Sequence, residues 1–574
     1  MTTRARATIA NRLPAAAAAA SLTLLLAGCA TGAQPAHRRG DEAAYADSFA
    51  PAHSARRPRH GHPMHAGNAY FRTTTRTTEG SVTVEGHTIR YRAVAGLLIV
   101  HPAGWNDAEP KAGGQLPGSA STHGKAAKAV PNEASMFYVA YFKEGARPAH
   151  RPITFLYNGG PGSSSVWLHM GAFGPRRVVT SDHTHSPPAP YQLLDNHYSL
   201  LDASDLVFVD APGTGFGRVR GREGAKDFYG ADQDVHAFSR FIMRFLSKYG
   251  RWNSPKYLLG ESYGTPRTAN LINVLETRDD TDFNGVILLS QILNFDDMTE
   301  LAPFNPGIDL PYELALPSYA ATAWYHHRLP GATQPLKPLL DQVERFAMTD
   351  YAQALREGST LSRADRESIA ERLHRYTGLP VSYILKANLR ITGPQFEHEL
   401  LSPLQETTGR LDSRFSGPTL DPLSENAHYD PQAAAISSAY VSAFNDYVRK
   451  DLHYGMGMHY KPEISLFEQW SFRHKPPGES QPLEQALNVM PDLANAMKYD
   501  PRLKVMLNGG YFDLATPFYE GVYEMKHLPM PRKLQANIQY HFYRSGHMVY
   551  AHLPSLERLH DNIAAFIAET DQQK

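Results

Sequence analysis

The sequence predicts an α/β fold with a mostly parallel sheet, helices on both faces and a helical cap inserted late in the chain. Short apolar runs at wide spacing, separated by helix-compatible segments, are typical of buried parallel strands. Such runs occupy residues 153–156, 206–209, 257–259 and 286–289. From about residue 296 to 500 this alternation gives way to helical patterns, and apolar strands return at 503–507 and 538–542. A chain that leaves its sheet and then rejoins it predicts a core with an inserted cap.

The sheet is expected to begin with antiparallel strands. Apolar and polar residues alternate on both sides of a Glu85-Gly86 turn, and the pattern continues over 97–100 and 136–141. Alternation with period two around a tight turn predicts a hairpin at one edge of the sheet.

The inserted region carries explicit helix boundaries. Ser362 with Asp365 three residues later predicts a helix start, and Gly378 followed by Pro380 predicts its end. We therefore expect this region to form a mainly helical cap over a site on the sheet.

The first 29 residues predict a targeting segment. Arginines precede an Ala/Leu run over residues 15–26, which ends in Leu-Ala-Gly-Cys29. This pattern resembles a bacterial lipoprotein signal, in which the cysteine thiol takes the lipid. Cys29 is the only cysteine in the chain, so an internal disulfide is excluded. We expect lipidation at Cys29 and an exported protein of the bacterial cell envelope, facing the periplasm or the surface. The alternative is an ordinary signal peptide that contains a cysteine.

The predicted domain organisation has five parts. These are a signal peptide at 1–29, a disordered tether at 30–68, a first core segment at 69–295, the helical cap at 296–500 and a second core segment at 501–574. Lysine plus arginine and aspartate plus glutamate each total 57 among 574 residues, which argues against nucleic acid or an anionic membrane surface as a partner. Contact with a membrane is expected only through the lipid anchor, and the sequence does not predict an oligomeric state.

A strand–turn–helix pattern around Ser262 predicts a nucleophile elbow. The segment Gly260-Glu261-Ser262-Tyr263-Gly264 directly follows the apolar run at 257–259, and a helix-compatible stretch follows it. Such a sharp turn requires small neighbours and exposes the serine hydroxyl at the end of a strand.

Three further loops follow predicted strands, where open α/β sheets place their sites. The glycine-rich loop Asn158-Gly159-Gly160 can present backbone N–H groups to an oxyanion. Asp513 and His547 follow the two strands that come after the cap. The chain order Ser262, Asp513, His547 is the order found on α/β-hydrolase folds.

These motifs together resemble the serine carboxypeptidase family. The resemblance rests on Asn158-Gly-Gly-Pro-Gly-Ser-Ser-Ser, Gly260-Glu-Ser-Tyr-Gly and Gly546-His-Met-Val, and extends from about residue 150 to the C-terminus. It implies an α/β-hydrolase fold, peptide substrates and no metal or organic cofactor. The implied roles are Ser262 as nucleophile, His547 as general base and acid, Asp513 as its orienting acid, Gly160 and Tyr263 as oxyanion donors, and Asn158, Gly159 and Glu261 as the binding site for the C-terminal carboxylate of the substrate.

The chain departs from the family pattern at several positions. Leu156 and Ser163 stand where the family usually has tryptophan and cysteine, and Ala172 stands where a second glutamate, partner of Glu261, is expected. Two adjacent carboxyls share a proton and can donate to a carboxylate at acid pH. Arg267, on the predicted elbow helix, could supply a positive charge instead, although a solvent-exposed or ion-paired arginine is the expectation.

The sequence therefore predicts a serine-type carboxypeptidase that forms an acyl-enzyme on Ser262. The alternatives are an esterase or acyltransferase that uses the same triad, and a catalytically silent lipoprotein that binds peptides in the same cleft.

Overall fold

The computed structural model describes residues 66–105, 131–331 and 334–571. Cys29, the predicted signal peptide and most of the predicted tether lie outside these residues, so the predictions made for them are not addressed by the fold. The described part begins with a 3₁₀ helix at Ala66–Phe71.

The core is a mixed sheet in which the central strands are parallel. Its strands, in chain order with two small strand pairs included, are β1 Thr75–Val84, β2 His87–Val100, β3 Glu133–Lys143, β4 Ile153–Tyr157, β5 Arg176–Val178, β6 Leu193–Asp195, β7 Asp205–Val209, β8 Arg218–Arg220, β9 Lys256–Glu261, β10 Gly285–Leu289, β11 Glu406–Thr408, β12 Ser416–Pro418, β13 Lys504–Gly510 and β14 Ile538–Tyr543. The order across the sheet is β1-β2-β3-β7-β4-β9-β10-β13-β14, with β8 beside β3. β1, β2, β3 and β7 pair antiparallel, and every pair from β7 to β14 is parallel. This topology confirms the predicted α/β fold and its antiparallel edge.

Helices cover both faces of the sheet. They are α1 Gly224–Phe228, α2 Ala231–Tyr249, α3 Gly264–Thr277, α4 Leu310–Tyr325, α5 Leu336–Phe346, α6 Ala352–Glu357, α7 Arg363–Thr377, α8 Val381–Lys386, α9 Gly393–Glu399, α10 Pro431–Lys450, α11 Met490–Tyr499, α12 Phe518–Lys526 and α13 Leu553–Asp571. Apolar residues of α2, α3 and α11 pack in one core with one side of the sheet. Those of α10 and α13 pack in a second core with the other side.

Among the described residues, the region 296–500 contributes to four apolar clusters. Helices α4 to α9 form a separate apolar cluster of their own, as a cap would. Helices α10 and α11 instead complete the two faces of the sheet. In the cap, the predicted helix is α7, because the Ser362 hydroxyl accepts a hydrogen bond from Asp365 N at 3.1 Å and Gly378 ends the helix with φ 70°.

Among the helices in the described ranges, none is both long enough and apolar enough to cross a membrane.

Candidate active site

Ser262 occupies a strained turn between β9 and α3. Its φ is 60°, in the left-handed region that non-glycine residues rarely adopt. A Cβ at Gly260 would lie 2.1 Å from Gly264 O, so the turn can close only because that residue is glycine. The half-buried serine is therefore held at the carboxyl end of a central strand, as a nucleophile elbow requires.

Parallel pairing of β9, β10, β13 and β14 brings the other predicted residues to the same edge. Ser262 N donates to Leu289 O at 3.0 Å at the end of β10. The next residue, Ser290, donates from its backbone N to Asn508 O at 2.8 Å and from its hydroxyl to His547 O at 2.6 Å. Hydrogen bonds thus connect the turn that carries Ser262 to the loop that carries His547.

Asp513 and His547 form a buried hydrogen-bonded pair. His547 Nδ1 lies 2.8 Å from Asp513 Oδ2. Because a carboxylate only accepts hydrogen bonds, Nδ1 carries the proton and Nε2 is left free to act as a base. Asp513 is held in turn by Ala515 N at 2.9 Å and by Thr516, which donates from its N at 3.0 Å and from its hydroxyl at 2.8 Å. Burial lowers the pKa of His547, but the charge and hydrogen bond of Asp513, with the charge of Glu261, raise it above the usual value.

Ser262 and His547 are the two predicted triad residues that the structure does not connect directly. Within the described residues, no hydrogen bond links Ser262 Oγ to His547 Nε2. Catalytic hydrogen bonds are often long before substrate binds and tighten in the complex, so the arrangement remains compatible with a triad.

The glycine-rich loop after β4 packs directly on the elbow. A Cβ at Gly159 would lie 2.3 Å from Tyr263 N, so no larger residue fits there. In the described part of the chain, neither Gly160 N nor Tyr263 N donates a hydrogen bond. Two unpaired backbone donors beside Ser262 are the kind of groups from which an oxyanion hole is built.

A buried carboxylate and a distant segment hold this loop in place. Asp210 accepts hydrogen bonds from Ser165 N at 2.8 Å and from the Ser165 hydroxyl at 2.7 Å. Ile464 N donates to Gly162 O at 2.9 Å, and Ser164 N donates to Pro462 O at 2.9 Å. The loop is thus fixed by elements far from it in sequence, which preorganises its free N–H groups.

Glu261 directly precedes the serine, and two side chains donate hydrogen bonds to its carboxylate. Asn158 Nδ2 donates to Glu261 Oε2 at 2.9 Å, and the Tyr550 hydroxyl donates to both carboxylate oxygens, at 2.9 Å to Oε2 and 3.1 Å to Oε1. Burial raises the pKa of Glu261 to about 7, although His547, Tyr550 and Asn158 act in the opposite direction. The structure therefore brings Asn158 and Glu261 together, as the resemblance implied.

Arg267 is ion-paired but not exposed. Its guanidinium lies in the core, with Nε 2.5 Å from Asp234 Oδ2 and Nη1 donating to Asn158 O at 2.7 Å. It anchors the backbone of the glycine-rich loop from behind and supplies no charge to the cleft surface. Of the two expectations for this residue, the ion pair is confirmed and the solvent exposure is wrong.

Sequence reasoning missed two sets of residues that support the site. Tyr550 was not identified as a partner of Glu261, because an aromatic residue three positions after His547 has no distinctive pattern. Asp412 accepts a hydrogen bond from Gly546 N at 3.1 Å and is paired with Arg414, yet it lies in the region expected to be a helical cap. The local sequence around Asp412 contains no signal for that role.

Comparison with known proteins points to the family that the motifs resemble. Residues 120–307 match the protein family described as serine carboxypeptidase. Serine carboxypeptidase-like 36 of Arabidopsis thaliana is 28% identical over 175 residues, which make up 29% of this chain and 34% of the relative. Serine-type carboxypeptidase F of Aspergillus niger is 29% identical over 161 residues, or 27% of this chain and 28% of the relative. The chain thus spans about a third of the length of the curated relatives it matches.

Solved structures to which this chain is similar include two peptidases. The crystal structure of Kex1, a prohormone-processing carboxypeptidase from Saccharomyces cerevisiae, is 16% identical, covers 83% of this chain and 91% of its own, and has a TM-score of 0.47. Proline iminopeptidase from Mycobacterium smegmatis is 12% identical, covers 86% and 99%, and has a TM-score of 0.32.

The matched residues 120–307 contain both the Asn158 loop and the Ser262 elbow, and the sheet that carries them is parallel at its centre. Over these residues the chain is similar to the serine carboxypeptidases.

Proposed function

We propose that this protein is a serine-type carboxypeptidase, which removes C-terminal residues from peptides through an acyl-enzyme on Ser262. The observation that carries the proposal is the buried Asn158–Glu261 hydrogen bond of 2.9 Å, immediately beside a serine elbow. A triad alone serves any acyl transfer, whereas a carboxylate-binding pair next to it selects a substrate with a free C-terminus.

Each residue of the site has a role in this reaction. His547 Nε2 takes the proton of Ser262 as the hydroxyl attacks the scissile carbonyl, and later gives it to the leaving amine. Asp513 holds the imidazole in the required tautomer and stabilises its charged form. The N–H groups of Gly160 and Tyr263 hold the oxyanion, and each such donor is worth about 3–4 kcal/mol in comparable enzymes. Water then attacks the acyl carbon as His547 Nε2 takes one of its protons, and that proton passes to Ser262 Oγ as the ester bond to the serine breaks.

Replacing the nucleophile tests the mechanism. Ser262→Ala should lower turnover on the order of 10⁶-fold while leaving the melting temperature close to that of the wild type. A fluorophosphonate probe should label the wild type at Ser262 and leave the variant unlabelled. Wild-type rates in Ser262→Ala would refute the mechanism, and an unlabelled wild type would favour a silent peptide-binding protein.

An esterase or acyltransferase is the second candidate function. It is favoured by Ala172, because no second carboxyl is present at the position expected to pair with Glu261. The two functions separate on blocked dipeptides that end in a free acid or an amide, assayed beside a simple ester. A preference for the free acid supports the carboxypeptidase, and indifference to the carboxylate supports the alternative.

We also propose that the protein is exported and tethered to the bacterial cell envelope through acyl chains on Cys29. The support is the basic start, the Ala/Leu run and the Leu-Ala-Gly-Cys29 sequence. Mass spectrometry of membrane-fraction protein should find Cys29 as a lipidated N-terminus. A protein cleaved at another site and free of lipid would contradict this proposal.

A further inference from the structure

Glu261 is hydrogen bonded to the phenol of Tyr550, and Ala172 stands at the position where a second carboxyl was expected. Its Oε2 accepts from both Asn158 and Tyr550 at 2.9 Å, whereas its Oε1 receives only the longer contact of 3.1 Å from the same phenol. In the described part of the chain, no second carboxyl group forms a hydrogen bond with Glu261. Oε1 is thus the oxygen with spare capacity, either to carry a proton or to face a ligand.

The orientation of this group is determined by its neighbours. Asn158 Oδ1 accepts a hydrogen bond from Leu168 N at 3.1 Å, so the amide must turn its NH₂ group toward Glu261. The ring of Tyr550 packs over Gly171, one residue before Ala172. A Cβ at Gly171 would lie 2.8 Å from Tyr550 Cδ2 and 2.7 Å from Tyr440 Cε1. Two tyrosine rings therefore fill this side of the site.

A phenol and a carboxylic acid act differently as partners. Burial and the charge of Glu261 keep the pKa of Tyr550 well above its usual value, so the hydroxyl stays a donor at every pH at which the enzyme could work. Its donation favours the ionised form of Glu261 and opposes the effect of burial. A second carboxyl would instead share one proton with Glu261 and change its own role on titration.

We propose that Tyr550 is a specificity-determining residue, whose phenol orients Glu261 and sets the pH at which this carboxyl changes from a donor that admits a free C-terminal carboxylate to an anion that repels it. The inference rests on the proposed carboxypeptidase function. The other charged or titratable groups that face Glu261 are His547, Asp513 and Tyr440. Because His547 and Asp513 serve every substrate equally, a ratio of two substrates isolates the contribution of Glu261.

The direction of the pH effect follows from the ionisation of Glu261. Below its pKa of about 7, neutral Glu261 can donate to a substrate carboxylate, and above it two anions meet. The ratio of kcat/KM for a free-acid dipeptide to that for its amide should therefore be high at pH 5 and fall as the pH rises. Tyr550→Phe removes a donor to the ionised form, so it should move the midpoint of that fall upward by about one pH unit.

Tyr440→Phe is the matched control. Tyr440 lies beside the same glycine but makes no hydrogen bond to Glu261 among the described residues, so its midpoint should stay at the wild-type value. Glu261→Gln should give a ratio independent of pH, and adding Tyr550→Phe to it should change nothing further.

The outcomes of this experiment distinguish a failure of the inference about Tyr550 from a failure of the proposed carboxypeptidase function. If the wild type never prefers the free acid, the proposed function fails and the inference with it. If the wild type prefers it but Tyr550→Phe keeps the wild-type midpoint, only the inference fails. An equal shift in Tyr440→Phe, or a midpoint that survives in Glu261→Gln, also overturns the inference.

Discussion

Arg267 shows how much of the site depends on a fully buried charge. Its guanidinium is fully buried and lies 4.4 Å from the centre of the Phe238 ring. The Asp234 carboxylate that neutralises it is on α2, and the Asn158 carbonyl that it binds begins the glycine-rich loop. One side chain therefore connects the elbow helix, a neighbouring helix and the glycine-rich loop.

Removing that charge should destabilise the protein. Arg267→Met keeps much of the side-chain volume but leaves Asp234 buried without its partner, which costs about 3–5 kcal/mol in comparable cases. Urea unfolding should show a lower midpoint, and adding Asp234→Asn should recover part of the loss because the orphaned charge is gone. A single variant that unfolds at the wild-type urea concentration would contradict this assignment.

A small hairpin in the cap region is hydrogen bonded to the loops that carry Asp513 and His547. We call β11, β12 and the connecting residues 409–415 the hairpin clamp. His547 N donates to Leu411 O at 2.6 Å, and Leu514 N donates to Arg410 O at 3.0 Å. Ser413 donates from its N to Phe512 O at 2.9 Å. The clamp thus fixes the loops of Asp513 and His547 relative to each other.

The charged pair in the clamp should affect turnover more than binding. Asp412 is fully buried, accepts from Gly546 N at 3.1 Å and pairs with Arg414, whose Nη2 lies 2.6 Å away. Asp412→Asn weakens that pairing, and a misplacement of about 1 Å at the imidazole can cost ~10²-fold in rate. We expect kcat for an ester to fall up to ~10²-fold while KM changes little.

Glu406→Gln is the control within the same hairpin. Glu406 bonds to Ser416 across β11 and β12 at 2.8 Å, away from the catalytic loops, so its loss should leave kcat unchanged. Equal losses in both variants, or a change confined to KM, would show that the clamp does not position His547.

Over the whole molecule, local sequence patterns predicted only those features that depend on one segment of the chain. Ser262, Asp513 and His547 each follow a strand of the parallel part of the sheet, and parallel strands bring their carboxyl ends together whatever lies between them in the sequence. Tyr550 and Glu261 meet across 289 positions, so neither local sequence contains information about the contact. The packing positions of α10 and α11 on the two faces of the sheet could not be predicted for the same reason. Their amphipathic patterns predict helices, but nothing in such a pattern tells which apolar surface a helix will cover.

His474 is a further long-range link, and it joins three helices on one face of the sheet. Its Nδ1 lies 2.6 Å from Asp232 on α2, and its Nε2 lies 2.8 Å from Asp492 on α11. Asp492 also accepts from Asn273 of α3 at 3.0 Å. Both ring nitrogens can donate to a carboxylate only when the imidazole is protonated. Burial lowers the pKa of His474, but the two carboxylates outweigh it and raise the value to about 9.

This link should make the stability of the fold depend on pH in the neutral to alkaline range. Because the folded pKa of about 9 exceeds the unfolded value of 6.5, the folded state holds the proton more tightly. The stabilisation is complete below pH 6.5 and is lost as the pH rises through 9. Its upper size is about 3 kcal/mol, from the shift and the free energy of one pKa unit.

Urea unfolding of the wild type and His474→Gln from pH 6 to 10 measures this contribution, since other titrating groups are shared and cancel in the difference. The gap in unfolding free energy between the wild type and His474→Gln should be largest at pH 6 and shrink toward pH 10. Asp492→Asn removes one of the two carboxylates and should shrink the pH-dependent part of the gap without abolishing it. A gap that stays constant with pH would mean that His474 holds the three helices as a neutral ring, through packing and one hydrogen bond.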